Sequence, residues 1–479
     1  MKRSYRLIIG VVLICFLFSS MLIGCGKSAE TAKNPESSAA PAVSTQEQTQ
    51  TPAETVKEPI TLKFTFWGSP QEKAAIENAV SKFEEKYNWI DVNAIHIPAD
   101  YDTKLTTMVA GNEEPDVAYL ESATIAYPLA EQGKLLNMEE YVNTDPEINK
   151  STLIPNIYYY WETGKLAGIF SAPECAVLFY NTEIFSKAGI APPPTKVANA
   201  WTWDQFVDTA KKLTIDQNGK NATESGFDPK KIQQFGVNIP LWWAMWGPFV
   251  YSNGGDFLSE DGSKLGLTQP ESVEALQNIA DLINVHHVMP SPVQAKSLPN
   301  TTQSLQTEKV AMVIDGQWVN LDLSAATDLK YDIGVLPVMK KPATIAVGAM
   351  TSIFSSSKHP KEAWELVKFL VNPEYSIDLL KGGLWMPVLS DWYKDSALLS
   401  KWAENNPAHP AGFKDSVLDS ILNYGVVTPT ATVKNFNQIM NIINPALDKV
   451  WLGQQSVADA LKEVEQAAQA EVKGRRPVE

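Results

Sequence analysis

An alternation of strand and helix patterns between residues 60 and 120 most strongly limits what this chain can fold into. Ile60–Trp67 alternates apolar and polar residues, which predicts a β-strand, and Gly68 ends it. Ser69, Pro70 and Glu72 follow with the spacing of a capping box, which predicts that a helix begins there. The helix carries one apolar stripe, formed by Ile76, Val80, Phe83 and Tyr87.

The same alternation continues through two further strands. Ile90–Ile97 is typical of a strand, Tyr101–Val109 of a helix, and Pro115–Leu120 of a third strand. Strand, helix, strand, helix, strand predicts a parallel sheet with helices on both faces, and therefore an α/β fold. Since ligands of such sheets gather beyond the carboxyl ends of the strands, Trp67–Ser69 and Glu121–Ser122 are expected on one rim.

The length of the chain indicates more than one hydrophobic core. The chain has 479 residues, which exceeds what a single core usually supports, so two lobes or domains are expected. No repeat of 20–50 residues is visible, which argues against a solenoid. Later helices are predicted to begin near Thr202, Pro270, His359 and Ser456.

The first 24 residues have the pattern of an export signal. Lys2, Arg3 and Arg6 precede an apolar stretch, and Leu22–Cys25 has the form of a bacterial lipobox. We therefore predict a signal peptide over residues 1–24 and lipidation of Cys25, which would anchor the protein to the outer face of the cell membrane. An ordinary secretory signal and an uncleaved anchor remain alternatives. Residues 25–58 are polar and of low complexity, which predicts a disordered tether.

Charge and cysteine content exclude several kinds of partner and chemistry. The formal net charge is −15, and no basic stripe is visible, which argues against binding to nucleic acid. An acidic body also argues against direct contact with an anionic membrane surface. Beyond the signal peptide and Cys25, the single thiol is Cys175, so no disulfide is expected and Cys175 is interpreted as a packing residue.

The sequence contains few candidates for a catalytic or metal-binding motif. The chain lacks the signatures of α/β-hydrolases, zinc proteases, P-loop proteins and dinucleotide-binding proteins. His286 and His287 are adjacent, which suits a helix end better than a metal site. Neither a metal nor a cofactor is predicted. Paired carboxylates of the glycosidase kind cannot be dismissed from the sequence, because 55 acidic residues make such pairs easy to find.

Tryptophan is the residue type that points to a ligand. The chain has 14 tryptophans, which cluster as Trp201 with Trp203 and as Trp242 with Trp243 and Trp246. An indole offers a flat apolar plate to the C–H face of a sugar ring, and its N–H can bind a hydroxyl. Some of the tryptophans must instead be core residues, and Trp364 and Trp451 are predicted to be among them.

Several segments together resemble one family. In chain order they are Trp67–Ser69, Met108–Val117, Leu129–Leu136, Ala172–Asn181, Phe185–Gly189, Lys309–Trp318, Lys361–Leu370 and Leu452–Leu461. Their order and content resemble the extracytoplasmic solute-binding proteins of ABC importers, in the sugar-binding family that includes the maltose-binding protein. The resemblance covers nearly all of the chain after residue 59.

This resemblance implies a fold and a division of the chain. The fold is of the periplasmic-binding-protein type, with two α/β lobes joined by hinge strands and a ligand cleft between the lobes. Lobe 1 would contain residues 59–170 and 310–358, and lobe 2 would contain residues 171–309 and 359–479. A few hinge residues would absorb the dihedral change when the lobes close.

The resemblance also implies roles for particular residues. Glu174 and Trp318 match a glutamate that binds sugar hydroxyls and a tryptophan that stacks on sugar in the maltose-binding relative. Leu120 stands where that relative has an aromatic contact, and the acid–arginine pair after it is missing, so maltose is not expected. The other residues predicted to contact the ligand are Trp67, Ser69, Glu121, Ser122, Trp242, Trp243, Trp246, Asn253, Gly254, Gly255, Asp315 and Trp385.

The predicted function is capture of a solute without chemistry. The resemblance implies a monomeric lipoprotein of an ABC importer, which binds a sugar or an oligosaccharide between its lobes and delivers it to a membrane permease. Two alternatives remain open. One keeps the fold but changes the solute, for example to a polyol, a glycerophosphodiester, an iron complex or a peptide. The other is a surface enzyme acting on glycans with two carboxylates. The sequence does not identify the sugar or its length.

Overall fold

The computed structural model describes residues 57–478 apart from residues 156, 172 and 407. The predicted signal peptide, Cys25 and almost all of the predicted tether lie outside the described residues. The strands are β1 Ile60–Phe66, β2 Ile90–His96, β3 Val117–Leu120, β4 Tyr158–Glu162, β5 Lys165–Phe170, β6 Glu174–Asn181, β7 Ile215–Asp216, β8 Ile232–Asn238, β9 Val310–Gly316, β10 Tyr331–Gly334, β11 Thr344–Val347, β12 Met350–Ile353 and β13 Gly425–Val427.

The strands are separated by helices of 4 to 17 residues. In chain order they are α1 Pro70–Lys86, α2 Tyr101–Ala110, α3 Ala123–Glu131, α4 Glu139–Thr144, α5 Thr182–Ala188, α6 Trp203–Leu213, α7 Trp243–Ser252, α8 Pro270–Asn284, α9 Pro292–Ala295, α10 Thr301–Gln306, α11 Asn320–Ala325, α12 Pro360–Val371, α13 Ile377–Lys381, α14 Asp391–Lys394, α15 Ser396–Ser400, α16 Asp419–Tyr424, α17 Pro429–Thr432, α18 Phe436–Trp451 and α19 Val457–Ala470. None of the helices formed by the described residues is both long and apolar enough to cross a bilayer.

The alternating pattern at the start of the body forms the predicted elements. β1 pairs in parallel with β2 and with β3, and α1 and α2 lie between these strands in the chain. The capping box is present, because Ser69 Oγ accepts a hydrogen bond from the amide of Glu72 at 3.3 Å and Glu72 Oε2 accepts one from the amide of Ser69 at 2.6 Å. The predicted α/β fold is thus confirmed.

The strands form two sheets. The order in the first sheet is β2-β1-β3-β12-β5-β4, and the order in the second is β13-β11-β6-β9-β8-β7. β10 lies beside β6 in the second sheet and pairs with residues 178–181. The first sheet is parallel on one side and antiparallel on the other, since β12 runs antiparallel to both β3 and β5.

The chain crosses between the sheets twice at one place. β5 of the first sheet leads to β6 of the second, and β11 of the second leads back to β12 of the first. The two crossings lie side by side, because Glu174 pairs with Val347 and the Ser171 amide donates to the carbonyl of Ala349 at 2.7 Å. Tyr159 of the first sheet stabilises the second crossing, because its hydroxyl donates to the carbonyl of Gly348 at 2.6 Å. The two sheets are therefore joined by a short antiparallel bridge.

The buried apolar residues form two cores, and the first extends onto one face of the second sheet through Cys175, Val177 and Phe179 of β6. The first core contains β1, β3, β5 and β12 together with α1 and α12, and Trp364 lies in it. The second contains parts of β6 and β9 together with α6, α7, α8, α18 and α19, and Trp451 lies in it. Both tryptophans are buried, as predicted for core residues. Cys175 is also fully buried, which agrees with its interpretation as a packing residue, and burial raises the pKa of its thiol.

The predicted lobe boundaries stay a prediction, and the contacts of α12 show which sheet this helix covers. The ring of Phe369 lies 5.4 Å from the ring of Phe83 in α1, and the hydroxyl of Tyr87 donates to Glu365 at 2.7 Å. α12 also contacts β12 and β3. Residues 360–371 thus pack on the first sheet, because the apolar stripe of α12 covers its helix layer rather than the second core.

Candidate functional site

A cavity of about 680 Å³ lies where the two sheets meet. The short bridge between the sheets contributes Ser171 and residues 347–349 to its lining, and the carboxyl ends of β1 and β3 contribute from the first sheet. Most of the residues predicted to contact a ligand are brought together here. These are Trp67, Glu121, Ser122, Glu174, Trp242, Trp243, Trp318 and Trp385.

The wall formed by the first sheet carries three aromatic side chains, which we call the first aromatic group: Trp67, Tyr119 and Trp385. The ring of Tyr119 lies edge-on to both indoles, with centroids 6.0 Å from Trp67 and 5.7 Å from Trp385. Trp67 is in turn 5.1 Å from the ring of Tyr101. Such edge-to-face contacts fix the orientation of the rings. The group therefore forms a rigid apolar wall before any ligand binds.

The opposite wall carries the second aromatic group: Trp242, Trp243 and Trp318. The ring of Trp242 lies 5.4 Å from Trp243 and 6.4 Å from Trp318, and Trp243 is 5.4 Å from Phe436 of α18. Trp242 is 41% exposed, so its face is available to a solute.

The position of Trp318 depends on a glycine. Trp318 lies in a 3₁₀ turn directly after β9, and its ring folds back over Gly316. A Cβ atom added at Gly316 would overlap the indole. A residue without a side chain is therefore required there if the ring is to lie against the chain and face the cavity.

Glu174 lies at the bridge between the sheets. It is the first residue of β6, and it keeps part of its surface open to the cavity. Burial of the carboxyl among protein atoms raises its pKa well above the ordinary value of 4.5, and the nearby charge of Glu72 adds to the shift. The sequence could not reveal this pairing of acids, because the two residues are 102 positions apart.

Three further acidic residues line the cavity: Glu72, Asp102 and Glu121. Burial raises the pKa of Glu72, although the hydrogen bonds from Ser69 act in the opposite direction. Burial also raises the pKa of Asp102, and burial together with the charge of Asp102 raises that of Glu121. Among the described residues that line the cavity there is no Lys, Arg or His. The lining is thus acidic and aromatic.

Glu72 reaches the cavity because of the turn that precedes α1. Gly68 has a φ of +125°, and a Cβ atom on it would lie 2.7 Å from the Cβ of Glu72. The spacing of Ser69 and Glu72 predicts only a capping role for Glu72. Its carboxylate caps α1 and also lines the cavity, and the capping pattern gives no sign of this second role.

A smaller cavity of about 300 Å³ adjoins the first. The two share Glu72, Trp318 and Leu384 in their linings. Ser69, which was predicted to contact the ligand, lines the smaller cavity and caps α1. Asp322 also lines it, and no described residue of its lining is Lys, Arg or His. The space open to a solute is therefore longer than the main cavity.

Five of the predicted residues lie away from the cavity. Two of them, Trp246 and Asp315, have side chains that pack or hydrogen-bond within the protein. Trp246 is fully buried and stacks on Phe257 with 5.3 Å between ring centroids, because α7 is buried in the second core along residues 244–252. Asp315 is 8% exposed, and it accepts hydrogen bonds from Thr301 Oγ1 at 2.9 Å and from the Gly316 amide at 2.8 Å. Both are absent from the lining of the cavity.

The other three predicted residues that lie away from the cavity form the turn after α7. The side-chain amide of Asn253 donates to the carbonyl of Glu271 at 2.7 Å and to the carboxylate of Glu274 at 2.8 Å. Gly254 has a φ of +88°, and a Cβ atom on Gly255 would overlap Ser272. This Asn-Gly-Gly segment therefore joins α7 to α8 as a structural turn.

Several cavity residues were missed by the sequence analysis. Tyr119 lies one position before Leu120, which is fully buried, so the aromatic side chain of the third strand is displaced by one residue from the expected position. Thr428, Thr430 and Asn437 come from the region around α17, which carries no motif. Only the alternation of inward and outward side chains along β3 could have indicated Tyr119.

The acidic residues that the structure describes are not grouped as a metal site. Within the part of the chain that the structure describes, no three side chains of His, Cys, Asp or Glu are grouped so as to hold a metal ion. Burial is the first cause of the raised pKa values of Glu174, Glu72 and Asp102.

The chain is similar to known binding proteins over most of its length. The family model of the bacterial extracellular solute-binding proteins matches residues 67–377. A galactooligosaccharide-binding protein of Bacillus subtilis is 21% identical over 418 residues, which cover 86% of this chain and 90% of that protein. A periplasmic protein of Rhizobium meliloti that binds sn-glycerol-3-phosphate is 23% identical over 404 residues, which cover 81% of this chain and 87% of that protein.

The fold is also similar to solved structures. An ABC substrate-binding protein from Listeria monocytogenes, solved in complex with cycloalternan, superposes with a TM-score of 0.73 and 25% identity, covering 86% of this chain and 99% of that chain. The predicted fold of two α/β lobes joined by hinge strands is therefore confirmed.

Proposed function

The chain belongs to the bacterial extracellular solute-binding protein family, and on that premise we propose that it binds a sugar or an oligosaccharide in the cavity between the two sheets. The observation that carries the proposal is the pair of aromatic groups on opposite walls with Glu174 at the bridge between them. Indoles on two sides can cover both faces of a pyranose ring.

The chemistry of the lining fits a saccharide. Indole planes bury the C–H faces of sugar rings, and charged acceptors form strong hydrogen bonds with hydroxyls. Glu174 and Glu121 supply acceptors, and Ser122, Thr428 and Thr430 supply hydroxyls that both donate and accept. The adjoining cavity near Ser69 gives room for a ligand longer than one ring.

We propose a mechanism of reversible capture without a chemical step. The lobes move about the bridge formed by the two crossings, and the closed form binds the solute better than the open form, so the ligand stabilises closure. The closed protein then delivers the solute to the permease of an ABC importer. Cys25 is proposed to be lipidated after removal of residues 1–24, and the protein is proposed to act as a monomer on the outer face of the membrane.

An anionic solute is the alternative that a relative suggests. The Rhizobium meliloti protein binds sn-glycerol-3-phosphate. Phosphate groups are usually held by Arg, Lys or clustered amides. In the described linings of both cavities no cationic side chain is available, and five carboxylic acids are present. The lining therefore favours a saccharide without an anionic group.

Isothermal titration of the folded protein with a panel of mono- and oligosaccharides tests the proposal. We expect at least one saccharide to bind with a stoichiometry of one and to be recovered unaltered by mass spectrometry. Absence of binding to every saccharide by a protein that melts cooperatively would overturn the proposal. Recovery of a cleaved saccharide would instead support the glycan-active enzyme.

A further inference from the structure

Among the described residues, the linings of the two adjoining cavities contain acidic side chains and no basic ones. Glu72, Asp102, Glu121 and Glu174 line the main cavity, and Asp322 lines the smaller one. None of the described residues in either lining is Lys, Arg or His. The charge of His96 acts to lower the pKa of Glu72, but His96 is outside both linings and its ring nitrogen lies 2.9 Å from the carbonyl of Gly68.

From this imbalance we propose that the natural ligand is a cationic saccharide, that is, an amino sugar or an oligosaccharide of amino sugars with free ammonium groups. This inference rests on the proposed function, because it specifies the ligand class of the same site. The ammonium groups would lie among the carboxylates, and the rings would lie between the two aromatic groups.

An independent observation at the first aromatic group also points to a ligand. Tyr119 is 2% exposed, and its hydroxyl has no hydrogen-bond partner among the described residues. A buried hydroxyl without a partner is costly, so such groups are commonly found where a ligand supplies the partner. Asp102 Oδ1, in the same lining, is likewise buried without a partner within the described chain.

Desolvation explains why a positive charge is favoured over a neutral sugar. A ligand that fills the cavity displaces the water around the carboxyls, and a charged group that loses water without a partner is strongly destabilised. A neutral sugar replaces the hydrogen bonds of the displaced water only with hydrogen bonds from its hydroxyls. An ammonium group replaces them with a charge-assisted hydrogen bond to each carboxylate that it contacts.

The aromatic lining fits the same ligand. A cation close to an indole face is attracted by the quadrupole of the ring, and the attraction grows when water is excluded. Trp67 and Trp385 stand on one wall and Trp242 and Trp318 on the other. Acidic residues and indoles therefore act together on an amino sugar, whereas an N-acetylated or a hydroxyl form of the same sugar receives the stacking and ordinary hydrogen bonds but no contact of opposite charge.

Titration calorimetry with matched ligands tests the proposal. Gluco-, galacto- and manno-configured monosaccharides and β-1,4-linked oligomers are each compared in three forms, with a hydroxyl, an N-acetyl group or a free amine at C2. We expect the free amine to be the tightest ligand of its set by about ten-fold or more. We expect its affinity to fall between 20 mM and 500 mM salt, where charges are screened, while neutral ligands are unaffected.

Variants of the acidic residues connect the preference to the site. Glu174→Gln and Glu121→Gln are expected to weaken binding of the amine by a larger factor than binding of the N-acetyl form, and so to reduce the preference for the amine. Glu113→Gln is the matched control, because Glu113 is exposed and lies outside both linings. Its preference for the amine should equal that of the unaltered protein.

The outcomes separate this inference from the proposed function. Equal or weaker binding of the amine than of its neutral forms would overturn the inference and leave the proposed function supported. An amine preference that persists in both Gln variants would overturn the assignment of the charge to these residues. Binding of no saccharide would overturn both, and so would binding of a polyamine such as spermidine in the absence of any saccharide binding.

Discussion

At the scale of single residues, Tyr119 and Tyr101 form a natural comparison because both are buried beside Trp67 but differ in hydrogen bonding. The hydroxyl of Tyr101 donates to the carbonyl of Tyr119 at 2.7 Å and lies 3.1 Å from the carbonyl of Thr65. The hydroxyl of Tyr119 has no partner in the described part of the chain. The first hydroxyl therefore stabilises the fold, and the second is the one that we propose binds the ligand.

Removing each hydroxyl in turn should give opposite results. Tyr101→Phe should lower the free energy of unfolding by about 1–2 kcal/mol, because it leaves buried carbonyls with one partner fewer. Tyr119→Phe should leave that free energy unchanged or slightly raised, and should weaken ligand binding about five-fold. Urea unfolding and calorimetry measure the two quantities. Loss of stability in Tyr119→Phe with unchanged affinity would contradict this account.

The carboxyl of Glu174 should make stability depend on pH. Its pKa in the folded protein is raised above 4.5 by burial and by Glu72, so folding favours the protonated form. That stabilisation is complete below pH 4.5 and is lost as the pH rises through the raised pKa. Glu174→Gln mimics the protonated carboxyl and does not titrate.

The free energy of unfolding of the two proteins should therefore diverge with pH. At pH 4.5 the unaltered protein and Glu174→Gln should be similarly stable, and by pH 8 the variant should be the more stable of the two. Chemical unfolding at several pH values between 4 and 8 measures this difference. A difference in the free energy of unfolding that stays constant over this pH range would show that burial does not raise the pKa of the Glu174 carboxyl.

Residue identity alone predicted part of the site. Trp67, Glu121 and Ser122 follow strands β1 and β3, and their place beyond the carboxyl ends follows from the parallel pairing of those strands. Trp246 was predicted with Trp242 and Trp243 because the three are close in sequence, but Trp242 has an extended backbone before α7, whereas Trp246 lies within the helix and stacks on Phe257 in the second core. Clustering in sequence therefore did not amount to clustering in space.

At the scale of elements, β9 and the turn after it set the position of the second aromatic group. Gly316→Ala should displace the Trp318 ring, because an added Cβ atom overlaps the indole while the φ of −68° at Gly316 suits alanine. We expect affinity for the saccharide to fall about ten-fold or more. Calorimetry on the variant measures the loss.

Gly164→Ala is a suitable control for that substitution. Gly164 has a φ of +70° in the turn between β4 and β5, and nothing lies within 4 Å of an added Cβ atom. The control should lose about 1 kcal/mol of stability through backbone strain and should bind the ligand normally. Equal affinities for the two variants would show that the packing of Trp318 on Gly316 does not control binding.

The local elements were predictable, but the long-range pairing was not. The capping patterns at Ser69 and Thr202 identified the starts of α1 and α6, because caps depend on residues within one turn. The insertion of β12 between β3 and β5 joins segments more than 170 positions apart, and nothing local specifies it. The packing of α12 on α1 is of the same kind, since the two helices are more than 270 positions apart and nothing local specifies their contact.

At the scale of the whole molecule, the two crossings at Ser171–Glu174 and Val347–Met350 are the parts that must bend if the lobes close. Binding of a saccharide should then lower the radius of gyration in solution, because both walls of the cavity approach the ligand. Small-angle X-ray scattering with and without ligand measures the change. An unchanged radius with saturating ligand would contradict closure as the capture step.

The most direct test of the account is calorimetry on a pair of tryptophan variants. Trp318→Ala removes an indole that lines both cavities, and Trp246→Phe alters an indole that is fully buried in the second core. We expect Trp318→Ala to lose saccharide binding while its melting remains cooperative. We expect Trp246→Phe to melt at a lower temperature and to bind the saccharide normally. Full affinity in Trp318→Ala would contradict the claim that saccharide is held between the two aromatic groups.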